Sequence, residues 1–146
     1  MTTPQAALPL RVLCVDDNEE LAESLRRRFA TEKALAWAGV VLHGSEVLAR
    51  VAAERPDIVL MDIDMPETDP FDLLVRITEQ APRTRVLMFS GHVSREYIDR
   101  ALDCGAWGYL SKNDEVEGLI EQIVRAGQGH FVFSKEVLAV QRAGKS

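Results

Sequence analysis

Five short apolar runs recur along the chain: Arg11–Asp16, Leu35–Val41, Ile58–Asp62, Arg85–Ser90 and Ala106–Ser111. Each is mostly continuous rather than alternating, as expected of strands buried on both faces of a parallel sheet. The stretches between them follow a different period. Leu21, Leu25 and Phe29 return every fourth residue after Asn18-Glu19-Glu20, and Val47, Leu48, Val51 and Ala52 follow the cap candidate Ser45. A third helix is signalled by Asp69 as N-cap, Pro70 at the first helical position and Asp72 in the first turn, ahead of Phe71, Leu74, Val75 and Ile77. Ser94 is placed to cap a helix carrying Ile98, Ala101 and Leu102 and ending at Gly105. Asn113 or Asp114 is placed to cap one carrying Leu119, Ile120, Ile123 and Val124 and ending near Gly127.

Strands alternating with helices predict an α/β fold: a five-stranded, doubly wound parallel sheet, because each crossover helix must cover a face of the sheet. A chain of 146 residues that is 47% apolar can close one core. The expected organisation is an N-terminal arm over residues 1–9, disordered, one domain over 10–127, and a linker with a C-terminal helix over 128–146. In that last segment Ser134 is a cap candidate, with Val137, Leu138 and Val140 as the apolar side.

Charge and targeting narrow the function. Seventeen basic against 23 acidic side chains leave a net charge of −6, which gives no diffuse positive field to hold nucleic acid, so direct DNA binding by this segment is not expected. No apolar run is long enough to span a bilayer, and MTTPQAALPL lacks the charged head and apolar core of a signal peptide. A cytoplasmic protein without membrane contact is expected. Cys14 and Cys104 sit inside apolar stretches and read as packing residues of a reducing compartment.

The chemistry gathers at strand ends. Asp16-Asp17, Asp62 and Ser90 close three of the predicted strands, and Lys112 follows the fifth. In an open parallel sheet the carboxyl ends of the strands border the ligand crevice, so these residues should converge although far apart in sequence. Three crowded carboxylates repel one another and can share a pocket if a divalent cation neutralises them. Magnesium suits a few carboxylate oxygens completed by water and phosphate oxygen. Asp62 can then act as nucleophile towards a phosphoryl group, with Ser90 supplying a hydroxyl donor and Lys112 a positive charge for its oxygens. Taken singly, each residue also has a plain reading: Asp16 or Asp17 as helix cap, Ser90 as a strand-end turn, Lys112 as a solvated charge.

The strings VLCVDDNEEL, DIVLMDIDMP, VLMFSGH and GAWGYLSK resemble, in order and spacing, the strand ends of response-regulator receiver domains, over about Leu10 to Ala126. The resemblance implies the flavodoxin-like strand order 2-1-3-4-5. It implies Asp16 and Asp17 as the acidic pair, Asp62 as phosphoacceptor, Ser90 and Lys112 as the hydroxyl and basic residues, and Ser90 with Tyr109 as the switch. Magnesium would be held by Asp16, Asp17 and Asp62, with the backbone carbonyl of Asp64. A sensor histidine kinase is implied as phosphoryl donor, and a changed face around the fourth helix, fifth strand and fifth helix as the output. That face would control homodimerisation on phosphorylation, or a partner, in transcription. Asp64 and His92, each two positions beyond a site residue, would govern the lifetime of the phosphoryl group; His92 also reads as a solvated loop residue. Trp107 would share the side of Tyr109 in an alternating strand, and a strand-end tyrosine can also simply stay packed with its hydroxyl in water.

Residues 128–146 resemble the linker of NarL/FixJ-group regulators. Two departures stand out. Pro70 replaces a common glycine, harmlessly at a first helical position. Asn113 stands where a proline often follows the basic residue, and a non-proline cis bond costs about 3 kcal/mol.

Two rival functions differ in what they require. A haloacid-dehalogenase-type phosphatase would use Asp62-Ile63-Asp64, Ser90 and Lys112, but would place its DxD near the first strand and a further acidic pair after the lysine. Here the acidic pair precedes Asp62. An interaction module independent of phosphorylation would not need all of the site residues present.

Overall fold

The computed structural model describes residues 9–143, and the expected N-terminal arm, apart from residue 9, lies outside the described residues. The chain order is β1 (Leu10–Val15), α1 (Glu19–Phe29), β2 (Leu35–Val41), α2 (Val47–Glu54), β3 (Ile58–Met61), α3 (Pro70–Gln80), β4 (Arg85–Ser90), α4 (Arg95–Asp103), β5 (Gly108–Ser111), α5 (Val116–Gly127), β6 (Val132–Phe133) and α6 (Lys135–Ala143). All strand pairs are parallel, in the order β2-β1-β3-β4-β5-β6.

Side chains leave a strand alternately to its two faces, so the continuous apolar runs build two cores. Val12 and Cys14 of β1, Ile58 and Leu60 of β3, and Leu87 and Phe89 of β4 meet Leu25 and Phe29 of α1 and Leu119, Ile120 and Ile123 of α5. On the opposite face Leu13, Val15, Val59, Met61, Val86 and Met88 meet Val47 and Val51 of α2, Leu74 and Ile77 of α3, Ile98 and Ala101 of α4, and Val137 of α6. The doubly wound parallel sheet expected from the sequence is present, with the order β2-β1-β3-β4-β5 inside it.

Three caps form, those of Asp69 and Ser94 as the sequence predicts and that of Asn18 where the sequence reading offered Asp16 or Asp17. The side chain of Asn18 accepts from Leu21 N–H at 3.0 Å, that of Asp69 from Phe71 and Asp72 N–H at 3.0 and 3.2 Å, and that of Ser94 from Tyr97 N–H at 3.1 Å. Others do not. Ser45 lies within a 3-10 turn, Gly44–Glu46, and α2 starts after Glu46 with no side-chain cap. Neither Asn113 nor Asp114 caps α5, which begins after Glu115. Asp114 serves α6 instead, accepting from Glu136 N–H at 3.0 Å.

The sequence expectation of five strands misses β6. Two residues are too few to show a period, and the strand exists because β5 offers a free edge to which Val132 and Ser134 donate. Gly108 permits the approach: a Cβ there would lie 2.3 Å from the Val132 carbonyl oxygen. Because β5 begins only at Gly108, Trp107 is not in the alternation. Trp107 packs on the α1/α5 face, opposite Tyr109, stacked on Phe131 with ring centroids 4.4 Å apart. On α6, Val137 is fully buried while Leu138 is exposed, so the apolar stripe is narrower than Val137, Leu138 and Val140 suggest. The peptide at Lys112-Asn113 is trans, as are all others among the described residues. Cys14 is buried and Cys104 half-buried, both free.

Candidate functional site

The hydrogen-bond ladder of the sheet runs one residue past the strands and lines up the polar residues at their carboxyl ends. Asp16 N–H donates to Val41 O at 3.0 Å, Asp62 N–H to Val15 O at 2.9 Å and Lys112 N–H to Ser90 O at 2.9 Å. Four strands thereby deliver their terminal side chains to one crevice, the expected consequence of parallel register.

Within it Asp16, Asp62 and Ser90 are buried, whereas Asp17 and Asp64 are exposed. Asp16, Asp17 and Asp62 each bring a carboxylate oxygen within 4.8 Å of the others, and they are the one such group among the described residues. Asp16 Oδ1 accepts from Asn18 N–H at 2.9 Å. Its buried Oδ2 faces Lys112 Nζ at 2.7 Å, hydrogen-bond distance for an ammonium, and has no other partner among the described residues. Lys112 Nζ also stands 3.4 Å from Asp62 Oδ1, and that oxygen accepts from Asp64 N–H at 3.2 Å. Burial and the neighbouring Asp16 charge push the Asp62 carboxyl above the ordinary carboxylate range, against the pull of the Asp64 amide and Lys112. Burial pulls the Lys112 ammonium down, but Asp16 and Asp62 outweigh it and raise the group overall. The pocket therefore holds more negative charge than one lysine neutralises, and carboxylate oxygens that share a single ammonium are fitting ligands for a hard cation.

Ser90 Oγ accepts from His92 N–H at 2.9 Å and reaches Asp64 Oδ2 at 3.5 Å. The exposed ring of His92 lies against Tyr97, centroids 4.9 Å apart. Tyr109 is fully buried and its hydroxyl donates to the His92 carbonyl at 2.5 Å instead of reaching solvent. Burial raises the pKa of that hydroxyl.

One group belongs to this neighbourhood without any sequence signal. Glu136, in the first turn of α6, accepts from the hydroxyl of Ser111 and from Asn113 Nδ2 at 3.0 Å. Ser134, read from the sequence as a cap, uses its Oγ to accept from Ser111 N–H at 2.9 Å. Only Asn113 hinted at this network, by standing in place of the usual proline.

Against known proteins, the profile for the response regulator receiver domain matches residues 12–124. Response regulator protein VraR of Staphylococcus aureus is 27% identical over 135 residues, covering 92% of this chain and 65% of the relative, so the chain spans about two thirds of the length of the curated relatives it matches. A two-component response regulator of the LuxR family from an Aurantimonas species superposes with a TM-score of 0.88 at 22% identity, over 95% of this chain and all of that one. The isolated receiver domain of RcsB from Salmonella enterica serovar Typhimurium does so with a TM-score of 0.83 at 14% identity, over 91% and 99%. Those two likenesses are of fold. Among the described residues no helix is long and apolar enough to cross a membrane. With a matching profile over most of its length, laid on a sheet whose carboxyl edge carries Asp16, Asp17, Asp62, Ser90 and Lys112, this chain belongs to the response regulator receiver domain family of signalling proteins.

Proposed function

We propose that Asp62 is the phosphoacceptor of this receiver and that a sensor histidine kinase is its donor. The observation that carries the reading is the crowding of Asp16, Asp17 and Asp62 within 4.8 Å, with Lys112 Nζ at 2.7 and 3.4 Å from two of them. An Asp62 carboxylate oxygen attacks the phosphorus of a phosphohistidine in line. The new P–O bond forms as the P–N bond breaks, and the released imidazole takes up a proton. Lys112 meets the growing charge on the phosphoryl oxygens, and Ser90 offers its hydroxyl to one of them. Magnesium, when bound by Asp16, Asp17, Asp62 and the Asp64 carbonyl, supplies the charge that lets the acidic cluster accept an anion. Hydrolysis returns Asp62 to its carboxylate, so the chain promotes its own phosphorylation and dephosphorylation and turns over no separate substrate.

Residues 10–127 form the receiver in this reading, and 128–146 a linker. Ser90 and Tyr109 carry the switch: Ser90 moves to the phosphoryl oxygen, and the Tyr109 hydroxyl bond to His92 ties the β4–α4 loop to the change. The output is a homodimer or partner contact at the α4-β5-α5 face that controls transcription. Both cysteines are free, which suits a cytoplasmic setting. The test is incubation with acetyl phosphate and magnesium, read by intact mass. One added phosphoryl group is expected, labile in acid and in base. Release of inorganic phosphate without a labelled protein would favour a phosphatase, and no reaction at all would favour an adaptor.

A further inference from the structure

Lys112 aims a long, rotatable side chain at two buried carboxylates, and such a side chain holds one direction only if the backbone beneath it is fixed. Its own amide is tied to Ser90 O at 2.9 Å. Both of its chain neighbours are tied to α6. The Ser111 hydroxyl donates to Glu136 Oε1, the Asn113 side-chain amide donates to the same oxygen at 3.0 Å, and Asn113 N–H donates back to Ser111 Oγ at 3.0 Å. Glu136 N–H closes the loop on Asp114 Oδ2 at 3.0 Å, and Ser134 Oγ takes Ser111 N–H at 2.9 Å. The Asn113 amide also stands 3.5 Å from Gly91 O, next to Ser90. The α6 helix is itself anchored from below by the fully buried Val137 and at its far end by Arg95 Nη1, which donates to Gln141 O at 2.9 Å.

We infer that Glu136 is a positioning residue for phosphoryl transfer, acting through Ser111 and Asn113 on the aim of Lys112. The inference rests on the reading of Asp62 as phosphoacceptor. Glu136 does not neutralise the lysine, whose ammonium faces Asp16 and Asp62. Its carboxylate instead holds the two donors that flank Lys112 in one geometry, in the first turn of a helix where negative charge is favoured. The site thus extends beyond residues 12–124, into the segment that follows the family match. A segment that improves the aim of Lys112 when docked makes the phosphorylation rate a function of whether α6 is seated.

The test compares labelling rates from acetyl phosphate and magnesium in the full chain. Glu136→Ala should slow labelling by about tenfold, short of the roughly hundredfold loss that a full 1 Å misplacement of a reacting group can cause. Glu136→Gln, which keeps the accepting oxygen, should restore most of it. Asn113→Ala changes an exposed residue and leaves α6 intact, and it should slow labelling too; the Glu136→Ala, Asn113→Ala double variant should be no slower than the worse single one, because both cut one link. Arg95→Ala loosens the far end of α6, along with an exposed pair to Asp99 inside α4, and should label normally. Glu136→Ala labelling at the wild-type rate, whether or not its melting temperature falls, would overturn the inference and leave the reading of Asp62 untouched. So would Arg95→Ala slowing as much as Glu136→Ala, because any loosening of α6 would then suffice. A wild-type chain that takes no phosphoryl group sinks both readings at once.

Discussion

The two edges of the sheet solve the same problem of ending buried strands in opposite ways. At the amino edge every polar group described here has a partner that suits it. Arg11 N–H donates to Asp57 at 2.8 Å while its guanidinium pairs with Glu54 at 3.0 Å. The Thr84 hydroxyl donates to Pro56 O at 2.8 Å, and Arg85 gives two hydrogen bonds to the carbonyls of Ala126 and Gly127 while its guanidinium lies 4.7 Å from the Trp107 ring. At the carboxyl edge two buried carboxylates share one ammonium, Lys112 Nζ standing 2.7 Å from Asp16 Oδ2 and 3.4 Å from Asp62 Oδ1. Charges of one sign are costly to bury together, so the carboxyl edge gives up stability that the amino edge retains. A fold that spends stability at one edge only is marking where its chemistry is.

The largest test of the contrast removes the carboxylate at its centre. Asp62→Asn or Asp62→Ala should abolish the acyl-phosphate label, and Asp62→Asn should also melt higher than wild type at neutral pH. The sign follows from the raised pKa of Asp62: the folded state favours its protonated form, so the stability tied to that proton is present at low pH and lost as pH rises through the folded-state pKa. A melting series against pH should show wild type gaining on Asp62→Asn as pH falls. Label that persists in either variant, on Ser90 for example, would remove Asp62 from its role.

Next in size is magnesium. Asp17→Ala, or chelation of magnesium, should eliminate labelling, and magnesium at saturation should raise the wild-type melting temperature by selective binding to the folded state. A wild-type protein whose calorimetry and tryptophan fluorescence both ignore magnesium would contradict the acidic cluster as a cation site.

The amino edge should respond in the other currency, stability without chemistry. Arg85→Ala removes two hydrogen bonds and the contact with Trp107, and should cost about 1–3 kcal/mol in urea unfolding while labelling proceeds at the wild-type rate. Slowed labelling in this variant would show that the two edges are coupled.

The smallest effect concerns the lifetime of the phosphoryl group. Asp64 can orient an attacking water and the His92 imidazole can pair with it or obstruct it, so Asp64→Asn and His92→Ala should change dephosphorylation non-additively, with a coupling of at least about 0.5 kcal/mol. Additive effects would return His92 to the status of a solvated loop residue whose ring lies against Tyr97.

What the sequence determined alone was everything set by short-range pattern. Continuous apolar runs, helical periods and the caps at Asp69 and Ser94 depend on neighbours within a turn, and parallel strands then oblige their carboxyl ends to meet, so the convergence of Asp16, Asp17, Asp62, Ser90 and Lys112 was legible in the sequence. Tertiary structure decided the rest. β6 is too short to carry a period and forms only because β5 leaves an edge that Gly108 lets it approach. Trp107 leaves the face of Tyr109 because its strand starts one residue later, and Asp114 and Ser134 found partners other than the local ones a cap predicts. Glu136 meets Ser111 across 25 residues of chain. Nothing in a helical first turn announces such a partner, because a hydrogen bond over that separation is chosen by how α6 packs on the sheet and not by the residues beside it.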